Sequence, residues 1–527
     1  MMTRWKVAVV AGAAGLIGGS ASAQIEPLLW ADGPIPGVPN ETIWPTGLYR
    51  PAFSPDNSLF AIRVNASSAN ADEFIITGSG NTFFGPAVST GDTIDNDPWD
   101  PNDDISVVFI GERNMTMNDF GEIAFTGSTR GPAQADAVFR YSPFDGITLI
   151  AADSETPIPS PFNTVRPNFV SVEGSQIDNF GNVAFVEFDS RSETSSSEFD
   201  GIFLFEEGQP SPTISGLEVE LQNIPTGIPD FRFWENFNRP GSNFVPGAMY
   251  YYDTECFGPV LGIMGDLDGD TQTDRVLAVN GDVKAQELVT PVDDDFGVVP
   301  NTFVGKVEVD GTWWVGNSGG LFTAPPPSLL IRNGTVIGKE GELVPVDTIP
   351  GERWSSVFAS DNDLGQAGFS SFDSNRIGGF VVIGFTDTAG LEEVMLYFDP
   401  AGNPHEIARK GDTIEVGVDG GTETRTILSF GRQWAFYAAT ATDSHVYFLA
   451  ETDRETSSVN GGLFARVPLP CRSDFNGDES VNVADITDYL ADLSSCAFPG
   501  CGNEFDGFCA TDSFDLAGFL NEVGTCQ

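Results

Sequence analysis

The residues best suited to chemistry lie in a regularly spaced acidic loop, DFNGDESVNVAD, near the C-terminal end of the sequence. Side-chain oxygens fall at loop positions 1, 3, 5, 9 and 12, and position 7 offers a backbone carbonyl. A hard cation such as Ca²⁺ takes about six to eight oxygen ligands, and carboxylates at alternate positions repel one another without it. The spacing therefore predicts a calcium site. Its ligands are Asp474, Asn476, Asp478, Ser480, Asn482 and Asp485.

A second loop, EFDGFCATDSFD, repeats this spacing thirty residues later but lacks one acid. Phe508 stands at position 5, so we expect calcium to bind this loop weakly or not at all. The acids that remain are Glu504, Asp506, Asp512 and Asp515. The segments after the two loops, ADITDYLADL and LAGFLNEV, carry apolar residues at helical spacing and predict two short helices.

Four cysteines follow the same thirty-residue offset, since Cys471 matches Cys501 and Cys496 matches Cys526. They can pair as Cys471–Cys496 with Cys501–Cys526, or as Cys471–Cys526 with Cys496–Cys501, and the sequence does not choose. Disulfides and a metal would both stabilise a domain too small for a large core. Cys256 and Cys509 are left over, either as free thiols or as a bridge between body and tail.

Two loop–helix units related by an internal repeat resemble a dockerin, of the cysteine-containing (GC-type) kind attached to secreted bacterial repeat proteins. The resemblance covers about Cys471–Gln527. It implies that loop positions 10 and 11 contact a cohesin-like partner, and a cell-surface or matrix partner is equally compatible. Glu479 departs from the usual loop glycine, as Phe508 departs from the usual acid. The implied partner-binding residues are Val483, Ala484, Ser513 and Phe514.

A third acidic loop, GDLDGDTQTDRV, lies in the body of the chain. It resembles the calcium hairpins of integrin-type propellers, although Thr271 replaces the usual glycine, and a solvated acidic turn is the alternative. Its candidate ligands are Asp266, Asp268, Asp270 and Asp274.

The elements that would carry these loops follow a repeat of about sixty residues through the body. Three gap-free copies, NDFGEIAF, DNFGNVAF and NDLGQAGF, combine a polar turn, a glycine and a short strand, and weaker copies end at Ile62, Tyr251, Val309 and Phe448. A second and a third apolar element follow most copies, with little helical signal. The pattern predicts one small antiparallel sheet per repeat, and such sheets must stack on neighbours to bury both faces.

The chain ends favour a closed ring over an open stack or a β-sandwich array. The last repeat stops after GGLFAR, and PLLWADGPIP (Pro27–Pro36) resembles the third element that it lacks. We therefore predict a mainly β protein, a β-propeller of about seven blades over residues 24–467 closed by its N- and C-terminal strands. A small α-helical, EF-hand-like calcium domain follows at 468–527.

The turn–glycine–strand units resemble the tandem NxxGxxAF repeats of secreted bacterial proteins with interchangeable C-terminal anchors. The best copy is Asn118–Phe125, and the resemblance covers most of residues 24–467. It implies a repeat body without an established catalytic activity.

The net charge and the N-terminal segment restrict the possible partners of the protein and its location. A formal net charge of −51 disfavours nucleic acid and anionic membranes and favours divalent cations. Residues 1–23 read as a secretion signal, with a basic start, a short apolar run and an Ala-Ser-Ala cleavage site, and no later stretch is long enough to span a membrane. We expect a secreted or cell-surface protein.

Catalytic patterns are weak. GNSGG (Gly316–Gly320) resembles a serine-protease motif, but the only histidines, His405 and His445, lie downstream and are expected to be structural. Trp313 and Trp314 could stack on a sugar or fill a blade core, and the core is favoured. With 76 acidic residues, a pair at glycosidase spacing carries no information.

No catalytic residue is therefore assigned. The sequence favours an exported, non-catalytic binding or scaffold protein, held outside the cell by a calcium-stabilised tail. Its propeller ligand is unidentified, with glycans as one candidate. The alternative is a carbohydrate-active enzyme, such as a glycoside hydrolase in polysaccharide catabolism, delivered by the same tail.

Overall fold

The computed structural model describes residues 25–469 with gaps, together with Thr487. Within residues 25–469 the gaps are 56–57, 68–71, 95–105, 112–114, 131–135, 153–155, 157–166, 169–170, 193–197, 209–213, 220–233, 238–248, 255–257, 268–274, 287–288, 292–302, 318–328, 356–368, 376–377, 401, 419–420, 431–438, 443–444 and 455–459. In the described part the regular structure of the body is entirely β, and its strands form seven antiparallel sheets. The protein is a seven-bladed β-propeller.

The first strand stands apart, and the strands of the first four blades then follow in chain order. The N-terminal strand is β1 (Glu26–Trp30). Blade 1 contains β2 (Ile43–Leu48), β3 (Ala52–Phe53), β4 (Phe60–Ala66), β5 (Glu73–Ser79) and β6 (Thr82–Ser89). Blade 2 contains β7 (Ser106–Ile110), β8 (Thr116–Met117), β9 (Ile123–Arg130), β10 (Asp136–Ser142) and β11 (Gly146–Ala152). Blade 3 contains β12 (Pro167–Asn168), β13 (Ser171–Ile177), β14 (Val183–Ser192), β15 (Glu198–Phe205) and β16 (Ile214–Val219). Blade 4 contains β17 (Trp234–Phe237), β18 (Met249–Thr254), β19 (Gly258–Leu267), β20 (Arg275–Val279) and β21 (Asp282–Gln286).

The remaining three blades complete the ring. Blade 5 contains β22 (Phe303–Val307), β23 (Trp313–Asn317), β24 (Leu329–Arg332) and β25 (Thr335–Lys339). Blade 6 contains β26 (Phe369–Ser374), β27 (Phe380–Phe385), β28 (Glu393–Phe398) and β29 (Pro404–Arg409). Blade 7 contains β30 (Thr413–Val418), β31 (Gly421–Ser429), β32 (Ala439–Ala441), β33 (His445–Thr452) and β34 (Gly461–Pro468), and it takes β1 as its last strand.

Ring closure occurs as the sequence predicts. Strand β1 pairs antiparallel with β34, from Glu26 opposite Arg466 to Trp30 opposite Leu463, with one bulge. The N-terminal segment thereby supplies the strand that the last repeat lacks. The same pairing covers the edge of β34, and β1 becomes the end strand of the blade 7 sheet.

The apolar core is divided among the blades. Seven clusters of buried apolar side chains each contain residues from two neighbouring blades, and one of them joins blade 7 to blade 1. Successive side chains of a strand point to opposite faces of its sheet, so each blade contributes to the cluster on either side of it. The stacking requirement predicted from the repeat is met around the whole ring.

The NxxGxxAF pattern has a direct explanation in blades 2 and 3. In the second strand of blade 2, Phe125 packs towards blade 1 while Ala124 packs towards blade 3, where it shares a cluster with Phe185. A small residue on one face thus makes room for the large residue of the next blade. Gly121 has a φ of +78°, a conformation that glycine adopts without strain.

The structure corrects the position of three copies. Tyr251 lies in β18, Val309 follows β22 and Phe369 begins β26, so these copies belong to the first strand or its end rather than to the second strand of the blade. The turns that match Gly121 are at Gly311 in blade 5 and Gly378 in blade 6, and the second strands are β23 and β27.

Each blade also contains a first strand that the three-element pattern did not include. This strand is in two pieces in blades 1 to 4 and in blade 7.

Candidate functional site

The predicted calcium, docking and disulfide residues of the tail lie outside the described residues. Of that segment only Thr487 is described, exposed and helical, and one residue does not test the predicted helices. All six cysteines are likewise outside the described part. The calcium domain therefore stays a prediction.

The acidic loop of the body is described at its two ends only. Asp266 and Arg275 lie opposite each other on β19 and β20. Oδ1 of Asp266 is therefore 3.4 Å from Nε of Arg275. Asp268, Asp270 and Asp274 lie outside the described residues. In the described residues no group of three or more His, Cys, Asp or Glu side chains is placed to hold a metal ion. No helix in the described part is both long and apolar enough to cross a membrane.

The two histidines occupy different settings in the blades. His445 begins β33, where burial first and then the charge of Arg466 lower its pKa to about 4. His405 lies in β29 with its Nε2 3.5 Å from Asp399 Oδ2. Of the GNSGG segment, Gly316 and Asn317 are the end of β23.

The tryptophan pair is divided between core and periphery. Trp314 is fully buried and shares a cluster with Phe380 of blade 6, with which it makes an edge-to-face contact. Trp313 is only partly buried and packs against the cluster between blades 4 and 5. The interpretation of Trp314 as blade core is confirmed.

A group of buried titratable side chains lies between blades 5 and 6. Lys306 of β22 pairs with Asp373 of β26, and its Nζ is 3.6 Å from Oε1 of Glu308. The same Oε1 accepts hydrogen bonds from the indole Nε1 of Trp314 at 2.9 Å and from the backbone N–H of Ser374 at 2.8 Å. One lysine thus lies between two carboxylates at the junction of two blades.

Burial perturbs the acids and phenols of this group. Desolvation raises the pKa of Glu308 to about 6, although Lys306 acts in the opposite direction. Oε2 of Glu308 is buried without a hydrogen-bond partner, which adds to the cost of its negative charge. On the neighbouring blade 4, burial raises the pKa values of Tyr250 and Tyr252. Their hydroxyls donate to the carbonyls of Gly305 at 3.2 Å and Val307 at 3.4 Å.

A carboxylic acid that titrates near pH 6 is suited to general acid–base chemistry if substrate can reach it. Glu308, however, is only 6% exposed. Glu308 also occupies the turn position that Asn118, Asp178 and Asn375 occupy in other blades. In all four turns the backbone N–H of this residue donates to the backbone carbonyl of the residue four positions later. Asn118 and Asn375 use their side chains to reach a backbone carbonyl of the next blade, Asp178 and Thr442 respectively. Glu308 makes the equivalent link through Ser374, so its contacts are those of a residue that joins two blades.

Sequence reasoning missed this set of linking residues. A polar side chain three residues before the turn glycine was visible in the NxxGxxAF copies, but its contact with the next blade was not. The segment GKVEV contained a second signal, because Lys306 and Glu308 alternate there with valines. Charged residues in an otherwise apolar segment need partners when they are buried.

Comparisons with known proteins show no family. No protein-family model matches the chain, and no curated protein does. An ulvan lyase, a polysaccharide lyase, is similar with 10% identity and a TM-score of 0.36, over 81% of this chain and 96% of that one. A sialidase of Trypanosoma rangeli has 10% identity and a TM-score of 0.35, over 93% of this chain and 65% of its own. A prolyl endopeptidase has 12% identity and a TM-score of 0.30, over 73% of this chain and only 46% of its own. At these values the likeness carries no argument about activity.

Proposed function

We propose that this protein is an exported β-propeller that presents a binding surface outside the cell and is held there by a calcium-stabilised, dockerin-like C-terminal domain. The observation that supports it best is the closure of the ring by its own N-terminal strand. Because β1 fills the last position of blade 7 and β34 ends at Pro468, the propeller needs no strand from the segment that follows. That segment is then available as a separate attachment module.

The polar residues between the blades stabilise the frame on which a binding surface would lie. Asn118, Asp178, Glu308 and Asn375 each direct hydrogen bonds into their own turn or to the next blade. Side chains engaged in this way hold the ring in shape. A rigid ring is a suitable frame for a recognition surface formed by its turns.

Calcium binding by the intact protein tests the attachment module. We expect isothermal titration calorimetry to show a calcium site that Asp474→Ala removes, while the matched exposed variant Asp145→Ala leaves it unchanged. Calcium should also raise the melting temperature of the tail in the wild type and not in Asp474→Ala. Equal melting with calcium and with chelator would reject the module.

A second candidate is a carbohydrate-active enzyme, which the raised pKa of Glu308 beside Asp373 and Lys306 favours. The intact protein should be incubated with a panel of neutral, acidic and amino polysaccharides, and new reducing ends and unsaturated products should be measured. We expect no turnover. Turnover that disappears in Glu308→Gln, in a variant with an unchanged melting temperature, would replace the binding function by the enzyme.

A further inference from the structure

Three phenylalanines are strongly exposed on the turns of blades 2 and 3. Phe120 is 64% exposed, Phe144 89% and Phe180 56%. Phe120 and Phe180 precede the turn glycines before β9 and β14, and Phe144 lies between β10 and β11. In an antiparallel blade the turn before the second strand and the turn after the third strand lie at the same end of the sheet. All three rings therefore belong to one face of the propeller, and we call them the phenylalanine face.

The turns that carry these rings are in direct contact. The backbone N–H of Asp119 donates to Oδ1 of Asn179 at 3.1 Å, and Nδ2 of Asn179 donates to Asp119 at 2.5 Å. Phe120 and Phe180 are the next residues in each turn. A Cβ atom built on Gly121 would lie 3.8 Å from Cγ of Pro143, the residue before Phe144. The turn that carries Phe144 therefore packs against the turn that carries Phe120. The three rings thus project from one continuous surface.

The fold does not require phenylalanine at these positions. In blade 5 the equivalent turn residue is Asp310, whose carboxylate accepts from the backbone N–H of Thr312 at 2.8 Å and from its hydroxyl at 3.0 Å. A polar side chain therefore serves the turn well, and it avoids exposing an apolar ring to water. Clustered exposed apolar residues on a soluble protein mark interaction sites. Blades 2 and 3 expose a phenylalanine at the position where blade 5 has this aspartate, and the difference points to a partner.

The surroundings of the phenylalanine face are acidic. Asp145, Glu206 and Glu207 are exposed on the neighbouring turns. The nearby cation Arg140 is buried, donates to the carbonyl of Gly181 at 3.2 Å and pairs with Glu207 at 2.8 Å. It therefore offers little positive charge to an approaching molecule, and the whole chain carries a net charge of −51. Acidic polysaccharides and nucleic acids would be repelled, whereas a cationic partner would be attracted.

Lysine and arginine side chains match both properties of this surface. Their aliphatic stems can lie on phenylalanine rings, their charges interact with the ring face, and their ends reach the surrounding carboxylates. We propose that the phenylalanine face docks a basic polypeptide segment in which lysine or arginine alternates with apolar residues. This inference rests on the proposed binding function and specifies its partner.

Fluorescence anisotropy with the intact protein tests the proposal. The probe is a labelled twelve-residue peptide of alternating lysine and leucine, and the comparison probe replaces every lysine by glutamate. We expect the lysine probe to bind, to weaken as salt rises, and to lose about tenfold or more in affinity when Phe120, Phe144 and Phe180 are all changed to serine, because buried aromatic anchors dominate such contacts. The glutamate probe should not bind.

The matched control changes three exposed apolar residues elsewhere to serine, namely Trp44, Leu343 and Val418. It should bind like the wild type, and all variants should melt at the same temperature. Equal binding by the phenylalanine triple variant would show attraction by net charge alone and overturn the proposal. Absence of binding by the wild type, or displacement of the probe by a neutral oligosaccharide, would overturn it as well. Asp474→Ala should bind the probe normally, so failure of the calcium domain and failure of this surface can be told apart.

Discussion

The junction between blades 2 and 3 and the closing junction, where β1 joins the rest of blade 7, hold the ring together in different ways. Blades 2 and 3 are linked by Asn118, which donates to the carbonyl of Asp178 at 2.9 Å, by Thr116, which donates to that of Ser175 at 3.1 Å, and by one ion pair, Arg140 with Glu207 at 2.8 Å. The closing junction uses more charged contacts. Arg466 pairs with Glu26 at 2.7 Å, Arg454 pairs with Asp32, and Arg425 donates to the carbonyl of Ala31 at 3.4 Å.

This difference follows from the covalent chain. Blades 2 and 3 are consecutive, so short connections keep them together before any contact between them forms. Blade 7 is completed by a strand from the other end of the chain, and only non-covalent contacts hold β1 in place. In a chain with 25 Lys and Arg residues against 76 Asp and Glu, three arginines at one junction are a concentrated use of positive charge. The closing junction should therefore respond more strongly to mutation and to pH.

The largest effect is expected from Leu29→Pro. Leu29 is 2% exposed, packs between blades 7 and 1, and lies opposite Phe464 in β34. Proline lacks the N–H and distorts the strand, so the free energy of unfolding should fall by about 3 kcal/mol or more. Urea unfolding followed by tryptophan fluorescence measures it. Leu29→Met, which keeps the volume, should cost much less, and an equal loss in both variants would show that strand pairing is not the cause.

A slightly smaller effect is expected from Arg425→Met. Arg425 is 1% exposed and pairs with Glu423 at 3.0 Å, so its removal takes a cation away from a buried carboxylate. The loss should be about 3 kcal/mol, and the double variant Glu423→Gln with Arg425→Met should recover part of it. The same urea titration gives both values. A double variant no more stable than the single one would contradict this account.

Asn118→Ala tests the consecutive junction and should cost about 1 to 2 kcal/mol. Asn118 Oδ1 accepts from the backbone N–H groups of Phe120 and Glu122, at 3.1 and 3.0 Å, while Nδ2 reaches blade 3. Asn118→Asp keeps the acceptor and loses the donor, so it separates the turn from the link between blades. If alanine at this position costs as much as proline at Leu29, the contrast between the two junctions is wrong.

The smallest effect is a pH dependence at His445. Its pKa in the folded protein is about 4, lowered by burial and by Arg466, whereas the unfolded chain has the ordinary value near 6.5. As the pH falls through this window the unfolded chain binds a proton and the folded chain does not, so stability is lost on acidification. We expect a loss of about 1 kcal/mol, limited by the partial exposure of the ring. Melting temperatures of wild type and His445→Gln between pH 7 and 4 should diverge, and parallel curves would contradict the assignment.

The sequence predicted the ring from two observations. Repeats of about sixty residues gave the blades, and the likeness of Pro27–Pro36 to the missing element gave the closure. The first strands escaped because pieces as short as β3 and β8, two residues each, carry no periodic signal. The copies at Tyr251, Val309 and Phe369 were misplaced because an apolar strand beside a glycine can be the first or the second strand of a blade.

The candidate site was less predictable for a physical reason. Asp373 meets Lys306 and Glu308 only when blade 5 packs on blade 6, and residue spacing contains no information about that contact. The exposed state of Phe120 and Phe180 was equally hidden, because the sequence cannot distinguish a phenylalanine at a turn tip from one in the adjoining strand.

The pairing of Glu26 with Arg466 joins residues 440 positions apart, and this separation determines when the ring can be completed. Contacts so distant along a chain form slowly, so the closing step should be the last event of folding. Until then β34 presents an open edge and a vacant place for Leu29, where another copy could insert its own first strand. The strong mutual repulsion of such acidic chains would keep these unfinished molecules apart while each closes on itself.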